Sequence, residues 1–504
     1  MDGPILVIDR DNGRPVGVQL VEGIRGGILG GRLRPGDAVP STRALASELG
    51  VSRSAVVTAY EQLAGEGYLE MRQGAPTRVA ELAGRPGATD AGSARRRIDL
   101  PAAPRVTSDR FTPNGLESHV QATESGDSMH PRIDLVPGRP STSRIDTRAW
   151  RAAWRHAAAL EIPAWSPPPF GVERLRAEIA DHLRQARGVA CSADDVVVTA
   201  GTSEALALVA SALALLIGGE PVIAVEHPGY PSARRTLERR GARTVPTPVD
   251  ADGLIVEGLR RMPRPPDAVM VTPSHQYPLG GRLPVAARLE LVEWAHGADA
   301  IVLEDDYDSE YRHLGPPLPA LASLDEGGRV VLVGSFSKVL TPWLRLGYLV
   351  LPANDALRQA VATVRADEAC PVAGVAQDAA AALLASGAVR RHIAVTRRDY
   401  AHRRRLVLEV VGDLAAAPLS GLDGGLHAVV RLPDHETSAA VVARLTAQGV
   451  AVASLADYSA VPGGEEPGIV FGYAGTSDTL LAEGLARIRD AILEGVLDPA
   501  MPSG

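Results

Sequence analysis

Apolar residues recur at helical spacing in three short segments near the start of the chain, and a stretch of alternating residues follows them. The spacing predicts helices over Val16–Leu29, from Ser41 to Gly50 and from Ser52 to about Ala64, with serine as the N-cap of the last two. Tyr68 to Val79 alternates like a short hairpin. Helix, helix, tight turn, helix and hairpin is the order of a winged helix-turn-helix, which we place in residues 1–80.

Residues 81–131 lack this periodicity and are rich in Gly, Ala, Pro, Ser, Thr, Arg and Asp, which predicts a flexible linker. In residues 132–504 short apolar runs alternate with helical segments, a pattern typical of a mainly parallel sheet covered on both faces. From about residue 385 the pattern predicts a smaller α+β unit. The runs expected to form buried strands of the sheet are Val196–Thr199, Val222–Val225, Ala268–Val271, Ala300–Leu303, Val330–Val333 and Gly347–Leu351.

Length, charge and cysteine content narrow the class of protein. A chain of 504 residues is expected to hold two or three units, and its net charge of -8 means that any nucleic-acid contact must come from a local surface. Cys191 and Cys370 lack metal-ligand spacing, so we expect no metal and a reducing, cytoplasmic setting. The first ten residues do not resemble a secretory signal, and we expect no membrane association.

The chain contains many arginines but a single lysine, Lys338. A coding bias that replaces surface lysine with arginine explains the arginines, but it does not explain why one lysine remains. A primary amine can form a Schiff base and a guanidinium cannot. Composition alone leaves both a chance remnant and a chemical role for Lys338 open.

The N-terminal unit carries a specific motif. Residues 33–53 read LRPGDAVPSTRALASELGVSR, and AYEQL and EGYL follow from residues 59 and 66. These segments resemble the winged helix of GntR-type regulators over nearly all of residues 16–80. The resemblance implies binding to double-stranded operator DNA through the start of the third helix, where free N–H groups face phosphate and bases. The residues expected to contact DNA are Ser41, Arg43, Ser52, Arg53, Ser54 and Tyr60.

Two features temper the strength of DNA binding that we expect. Residues 1–80 contain nine arginines and nine acidic residues, so dimerisation is expected to supply part of the affinity. The predicted wing reads Gly74-Ala75-Pro76-Thr77 where the family has Gly-x-Gly-Thr. The alternative interpretation is that Ser41 and its polar neighbours are solvated helix caps.

A second motif surrounds the lysine. Pyridoxal phosphate needs an amine for its aldehyde, an acid beside its ring nitrogen, donors around its phosphate and a group against its ring. The segment from Ser335 to Lys338 follows a predicted strand, and Arg345 lies seven positions after the lysine. This arrangement resembles the Schiff-base motif of fold-type I aminotransferases. It implies an aldimine between Lys338 and pyridoxal 5'-phosphate, with Ser335, Ser337 and Arg345 as further cofactor-binding residues.

The remaining cofactor ligands are carried over from the same resemblance. Asp305 follows a predicted strand and matches the aspartate that pairs with the pyridine nitrogen, and Tyr307 lies on the same side of an extended chain. The loop Gly201, Thr202 and Ser203 leads from a strand into a helix, where N–H groups can bind phosphate. Tyr230 matches the aromatic residue that stacks on the ring. A solvated acidic turn and a packed loop tyrosine are the alternative readings.

Residues 272–280 read TPSHQYPLG where catalytic aminotransferases have Asn-Pro-x-Gly, and Tyr277 directly precedes the proline. We count Tyr277 among the cofactor-binding residues. This form resembles the MocR or GabR subfamily of GntR regulators. The resemblance implies a multidomain protein: an N-terminal winged helix-turn-helix, then an α/β domain of PLP-dependent transferase fold type I with a mainly parallel seven-stranded sheet and a small C-terminal α+β unit.

The resemblance implies a transcriptional regulator that senses pyridoxal phosphate, a small amino-compound effector, or both, through Lys338. It also implies a domain-swapped head-to-tail homodimer that binds direct-repeat or paired operator sites. An active aminotransferase carrying a DNA-binding unit is the alternative, and a DNA-binding protein with a structural cofactor is a third. The altered asparagine motif favours the regulator.

The effector is constrained by one departure from the family. Relatives often carry a Ser-Arg-Tyr-like segment whose arginine binds a substrate carboxylate, whereas this chain has Asp457 before Tyr458. An aspartate there would repel a carboxylate. We therefore expect a ligand other than a simple α- or ω-amino acid, or an alternative arginine such as Arg234.

Overall fold

The computed structural model describes residue 8 and residues 16–29, 32–65, 68–71, 76–80, 133–313, 319–415 and 417–497. The predicted linker, 81–131, and the turn of the wing at 72–75 lie outside the described residues. Within the described part of the chain, no helix combines the length and apolar character needed to cross a membrane.

The N-terminal unit contains three helices and a two-stranded antiparallel sheet: α1 (Val16–Leu29), α2 (Thr42–Leu49), α3 (Arg53–Gly65), β1 (Leu69–Glu70) and β2 (Arg78–Val79). Ser41 caps α2 by accepting a hydrogen bond from the Ala44 N–H at 3.2 Å. The C-cap, Gly50, has φ 61°, a conformation that favours glycine. Ser52 caps α3 through the Ala55 N–H. These local signals produce the predicted order of elements.

The larger unit is built on an eight-stranded sheet, in the spatial order β4-β11-β10-β9-β8-β5-β6-β7. Five central strands are parallel, and β11 runs antiparallel to both of its neighbours. Seven strands have four to eight residues and β7 adds a two-residue edge. Their bounds are β4 (Val196–Thr199), β5 (Val222–His227), β6 (Arg243–Asp250), β7 (Gly253–Leu254), β8 (Ala268–Val271), β9 (Ile301–Asp306), β10 (Val330–Ser335) and β11 (Gly347–Val350).

Helices cover both faces of this sheet. Consecutive strand residues point to opposite sides of the sheet, so alternate residues of one strand contact different helices. The residues on one face pack against α6, α7 and α10, and those on the opposite face pack against α8 and α9. The strands β4, β8, β9 and β11 are buried along their whole length, which explains why apolar runs dominate them, whereas the strand β6 is largely half-buried or exposed. The helices of this unit are α4 (Thr147–Ala158), α5 (Glu173–Arg187), α6 (Thr202–Ile217), α7 (Pro231–Arg239), α8 (Val256–Arg260), α9 (Val285–Ala298), α10 (Asp355–Glu368) and α11 (Gly374–Ala385).

The small C-terminal subdomain has a four-stranded antiparallel sheet in the order β12-β13-β16-β15, packed on three helices. Its strands are β12 (Leu419–Ser420), β13 (His427–Arg431), β15 (Ala453–Ser454) and β16 (Gly468–Gly472). Its helices are α12 (Ala388–Val411), α13 (His435–Ala447) and α14 (Asp478–Leu497).

One strand pair joins the beginning of the larger unit to its C-terminal subdomain. β3 (Ile133–Asp134) pairs in parallel with β14 (Val450–Ala451), and Ile133 is fully buried. The sequence pattern predicts a small unit beginning at about residue 385 and does not predict this pairing. The segment that follows the linker is therefore anchored in the small subdomain.

Candidate functional site

The single lysine lies just beyond the carboxyl end of a central strand. β10 ends at Ser335, and the Lys338 ammonium donates a hydrogen bond of 2.6 Å to the carbonyl oxygen of Gly138. Burial lowers the pKa of Lys338, and the nearby carboxylates of Asp308 and Asp305 only partly oppose this effect. A lysine with a lowered pKa is more readily deprotonated, and the neutral amine is the form that attacks an aldehyde.

Asp305 is buried on the neighbouring strand β9, 4% exposed. Its Oδ1 atom has no hydrogen-bond partner among the described residues. Burial, followed by the charge of Asp306, raises the pKa of Asp305 to about 8, although Lys338 lowers it in part. A buried carboxyl oxygen without a partner is unfavourable. This position therefore suits a cationic N–H group, such as a protonated pyridine nitrogen.

Groups suited to phosphate lie around the start of α6. Gly201 is the N-cap with φ 84°, so Thr202 and Ser203 form the first turn, whose N–H groups have no intrahelical partner. A Cβ at Gly201 would stand 3.8 Å from the guanidinium carbon of Arg345, which shows how close that cation lies to the loop. Ser335 donates to Ser337 Oγ at 2.9 Å on the adjacent segment. These groups, which we call the phosphate corner, are chemically suited to an anion.

Three tyrosines lie together at the site. The Tyr277 ring meets those of Tyr230 and Tyr307 edge to face, with centroids 5.7 Å apart in both pairs. The Tyr277 hydroxyl is 3.2 Å from that of Tyr458 in the small subdomain. Tyr230 is 36% exposed, so it is the most accessible of the three rings. Tyr307 donates from its hydroxyl to the carbonyl oxygen of His275 at 2.9 Å.

The two residues considered for effector binding have different surroundings. Asp457 is exposed on a short turn before Tyr458. The guanidinium of Arg234 donates to the carbonyl oxygens of Ser459 and Ala460 at 3.2 and 3.5 Å. Arg234 therefore supports the 458–460 segment, and it is half-buried.

The residues expected to contact DNA are exposed, with one exception. Ser41, Arg43, Ser52, Arg53 and Ser54 all lie on the surface at the starts of α2 and α3. Tyr60 corrects our expectation of a DNA contact: its side chain is fully buried, and its hydroxyl donates to the Pro40 carbonyl oxygen at 2.7 Å. It lies on the core face of α3, four residues after Val56 and three before Leu63, so helical periodicity turns it away from DNA.

Comparisons with known proteins match both units. Residues 17–79 match the model for bacterial regulatory proteins of the gntR family, and residues 133–488 match that for aminotransferases of class I and II. The chain is 41% identical over 478 residues to the HTH-type pyridoxine biosynthesis transcriptional regulator PdxR of Corynebacterium glutamicum, covering 95% of this chain and 96% of that protein. The chain belongs to the MocR-type regulators of the GntR family.

A second relative and the solved structures agree with this assignment. The probable rhizopine catabolism regulatory protein MocR of Rhizobium meliloti is 33% identical over 506 residues, covering 99% of this chain and 98% of the relative. The multiple substrate aminotransferase from Thermococcus profundus matches the fold with a TM-score of 0.66 and 22% identity, covering 77% of this chain and 96% of that chain. This MocR-type chain is therefore a DNA-binding regulator with an aminotransferase fold.

Several residues of the MocR-type site went unnoticed in the sequence. Gly138 reaches Lys338 from 200 positions away, and His427 comes from the small subdomain to within a 5.0 Å centroid distance of the His275 ring. His275 lies inside the quoted segment 272–280 and Asp308 directly follows Tyr307, yet the sequence analysis assigns neither residue a role. A signal was available for His275, since a histidine lies two positions before Tyr277 in the altered asparagine motif.

A buried polar network also lies behind this MocR-type site. Asp306 points to the opposite face of β9 from Asp305 and forms an ion pair of 2.8 Å with the buried Arg187. Glu226 accepts hydrogen bonds from the side chain and the backbone of Thr272. Burial raises the pKa of Glu226 to about 7, although the bonds from Thr272 lower it in part. These groups fix the strand ends that carry the site.

Proposed function

We propose that this regulator binds pyridoxal phosphate at Lys338 and alters operator binding in response to that compound. The observation that carries the proposal is that the only lysine of the chain is buried at a strand end. It lies near a buried carboxyl group, one oxygen of which has no hydrogen-bond partner in the described part of the chain. The cofactor would supply an aldehyde and an electron-withdrawing ring. Lys338 would bind the aldehyde, Asp305 the ring nitrogen, and Gly201, Thr202, Ser203, Ser335, Ser337 and Arg345 the phosphate side.

The tyrosines would hold the ring and exclude water. Tyr230 would cover one ring face, and Tyr307 and Tyr277 would lie at its edge. Because Tyr277 is itself packed against Tyr458, this part of the site connects the two lobes of the larger unit. Removal of water strengthens the pairing of Asp305 with a cationic ring nitrogen.

The charges near the site limit which effectors can bind. Asp457 disfavours a carboxylate, and Arg234 is engaged by backbone carbonyls. An amino acid would therefore lack an available arginine at these two positions. The relative at 41% identity carries a name that refers to pyridoxine biosynthesis, which favours the vitamin-derived aldehyde as the signal. An amino compound without a carboxylate, reacting with the bound aldehyde, would be the second kind of effector.

Operator binding in the presence of the aldehyde tests the proposal. Fluorescence anisotropy with DNA from upstream of the chain's own coding sequence would be measured during titration with pyridoxal phosphate, with pyridoxal and with simple amines. We expect pyridoxal phosphate alone to change affinity by about 5- to 100-fold, the range of ordinary allosteric coupling. An unchanged affinity with all three would contradict sensing, whereas a response to amines only would identify an amine effector.

DNA recognition is proposed to depend on the exposed residues at the starts of α2 and α3. Arg53→Ala is expected to weaken operator binding by about 10- to 100-fold, the loss typical of one base or phosphate contact. Arg405→Ala removes the same charge from an exposed position on α12 and provides a matched control. Equal affinities of the two variants would show that Arg53 does not face DNA.

A homodimer is proposed from an exposed aromatic surface beside the lysine segment. Trp343 is 90% exposed, and Trp150 and Trp154 line the same cavity with a ring separation of 5.9 Å. Exposed aromatic clusters of this kind mark interfaces. In the single chain, Val285 and Leu289 of α9 pack against the core of the N-terminal unit. In a swapped dimer the same surface of α9 would receive the partner's N-terminal unit.

The dimer has a direct test. Trp343→Glu is expected to shift the protein from dimer to monomer in sedimentation velocity, because the carboxylate would be desolvated in the interface. Leu493→Glu changes another exposed apolar residue, on α14, and should leave the dimer intact. A dimer of unchanged affinity in Trp343→Glu would place the interface elsewhere.

Amine transfer is a second candidate function. The side chains needed to bind and activate an amine lie near the carboxyl ends of the neighbouring strands β9 and β10. They are those of Lys338, Asp305, Tyr307 and Arg345. Incubation of the loaded protein with an amine and an α-keto acid as amino acceptor, followed by analysis for the carbonyl product of the amine, separates this activity from sensing. Product in excess of the protein would establish turnover.

A further inference from the structure

His275 is a buried histidine whose two ring nitrogens both face hydrogen-bond acceptors. Its Nδ1 is 2.9 Å from Asp308 Oδ2, and its Nε2 is 3.2 Å from the carbonyl oxygen of Gly421 in the small subdomain. A carboxylate and a carbonyl oxygen can only accept, so both bonds form only when both nitrogens carry a proton. The geometry indicates an imidazolium ion, 3% exposed, between the two lobes of the larger unit.

The charges around this ion agree with that state. Asp308 is its buried counter-ion, and Asp423 adds a second negative charge nearby. His427, the adjacent ring, donates from Nε2 to the Pro278 carbonyl oxygen at 2.8 Å, and burial and His275 lower its pKa to about 3. His427 is therefore neutral. Lys338 is a further cation near His427, and the side chains of Arg282 and Arg312 line the same cavity as His275.

His275 also faces the cofactor side of the site. The Tyr307 hydroxyl donates to the His275 carbonyl oxygen at 2.9 Å and lies 3.0 Å from Nδ1. Tyr307 is one of the tyrosines that would border the ring of the cofactor. Any displacement of this hydroxyl toward a bound ring would act on the backbone and on the ring of His275 at the same time.

Two glycines mark close contacts between the small subdomain and the segment that carries His275. A Cβ at Gly425 would overlap Asp308 Oδ2 and the His275 ring, and a Cβ at Gly280 would overlap the Gly421 backbone. Close packing of this kind transmits a displacement to the next element. Residues 421–427 therefore follow His275 if it moves.

We propose that His275 is a positioning residue that connects occupancy of the Lys338 site to the small subdomain, through the two hydrogen bonds that it donates to Asp308 and Gly421. We refer to these three residues as the His275 clasp. The coupling rests on the proposed binding of pyridoxal phosphate, whereas the clasp itself consists of contacts within the chain. The β3 and β14 strand pair then places the segment that follows the linker on the same small subdomain.

Two substitutions at one position separate the two bonds. His275→Asn retains a donor placed like Nδ1, toward Asp308, and loses the donor toward Gly421. His275→Gln retains a donor placed like Nε2 and loses the donor toward Asp308. His313→Gln is the matched control, because His313 bonds the same loop through the Gly425 carbonyl oxygen at 3.0 Å yet has no bond to Tyr307 among the described residues.

Hydrogen–deuterium exchange of residues 421–427 is the measurement, with and without pyridoxal phosphate. Without cofactor, we expect exchange in His275→Asn to be at least about tenfold faster than in the wild type, the loss expected for a bond to a charged donor. With cofactor, wild type and His313→Gln should gain protection and His275→Asn should not, although its bound cofactor keeps wild-type absorbance. Equal cofactor-dependent protection in all variants would overturn the coupling.

The charge of the clasp is measured separately. Nitrogen chemical shifts of labelled histidine, assigned with His275→Gln, should show both His275 nitrogens protonated at pH 7.5 in the cofactor-free protein. A neutral ring would overturn the clasp. Tight zinc binding that either His275 variant abolishes would also overturn it, because one potential ligand atom each of His275, Asp308 and His427 lies within 4.8 Å of the other two. If the wild type fails to bind pyridoxal phosphate, the proposed function fails, while these cofactor-free measurements still decide the clasp.

Discussion

Replacing Lys338 with alanine is expected to abolish covalent binding of pyridoxal phosphate and the visible absorbance that accompanies it. The reason is chemical: the chain has no other lysine, and its guanidinium groups do not form Schiff bases. The variant should retain weak binding through the phosphate corner, but it should no longer change its operator affinity when the compound is added. Absorbance spectroscopy and anisotropy on the same samples measure the two losses.

The single lysine makes this prediction unusually specific. Borohydride reduction of the loaded wild type should modify the peptide that contains Lys338, and peptide mass spectrometry would identify that peptide. The assignment is simple because the chain has two primary amines, the Lys338 side chain and the α-amino group. Lys338→Arg is the matched control, because it keeps a positive charge toward Gly138 and removes the amine chemistry. Persistence of the absorbance band in either variant would place the cofactor elsewhere.

Much of the fold was predictable because its signals are local. The strands β4, β5, β8, β9, β10 and β11 are buried on both faces, so they read as apolar runs that stand out from their flanks. The caps of α2 and α3 were predictable for the same reason, since a serine or glycine at a helix end bonds within four residues. The expectation that Tyr60 contacts DNA was wrong, because helical periodicity places it with Val56 and Leu63 on the buried face of α3.

The parts that escaped prediction depend on contacts between distant segments. β3 and β14 are more than 300 residues apart and two residues long, so neither shows a strand pattern by itself. Gly138 meets Lys338 through its backbone, which carries no side-chain signal. The sequence around His427 shows only a strand pattern. Its position beside His275 depends on how the small subdomain packs against the rest of the larger unit. The ion pair of Asp306 with Arg187 also joins distant segments, and the sequence analysis assigned neither residue a role.

The cofactor-free protein is expected to lose stability as the pH rises, and Asp305 is the main reason. Burial raises its pKa to about 8, well above the value of roughly 3.9 in an unfolded chain. Between these values the folded state holds a proton that the unfolded state releases. The stabilisation is therefore complete below about pH 4 and disappears as the pH passes through 8, with a slope approaching about 1.4 kcal/mol per pH unit. Glu226, raised to about 7, adds a slope of the same sign that ends nearer pH 7.

Asp305→Asn isolates this contribution, since an amide resembles the protonated acid and does not titrate. Thermal unfolding midpoints from pH 5 to pH 9 should decline more steeply for the wild type than for Asp305→Asn. Glu61→Gln removes an exposed carboxylate in the N-terminal unit and should keep the wild-type slope. Identical slopes for wild type and Asp305→Asn would show that this carboxyl is ionised in the cofactor-free site.

Pyridoxal phosphate should remove this trend in the wild type. A protonated ring nitrogen beside Asp305 stabilises its carboxylate and lowers its pKa, so the loaded protein no longer loses this stability near pH 8. The difference in midpoint between loaded and cofactor-free protein should therefore widen as the pH rises from 6 to 8.5. In Asp305→Asn the difference should be smaller and nearly independent of pH, because the pairing that links the cofactor to the proton is absent.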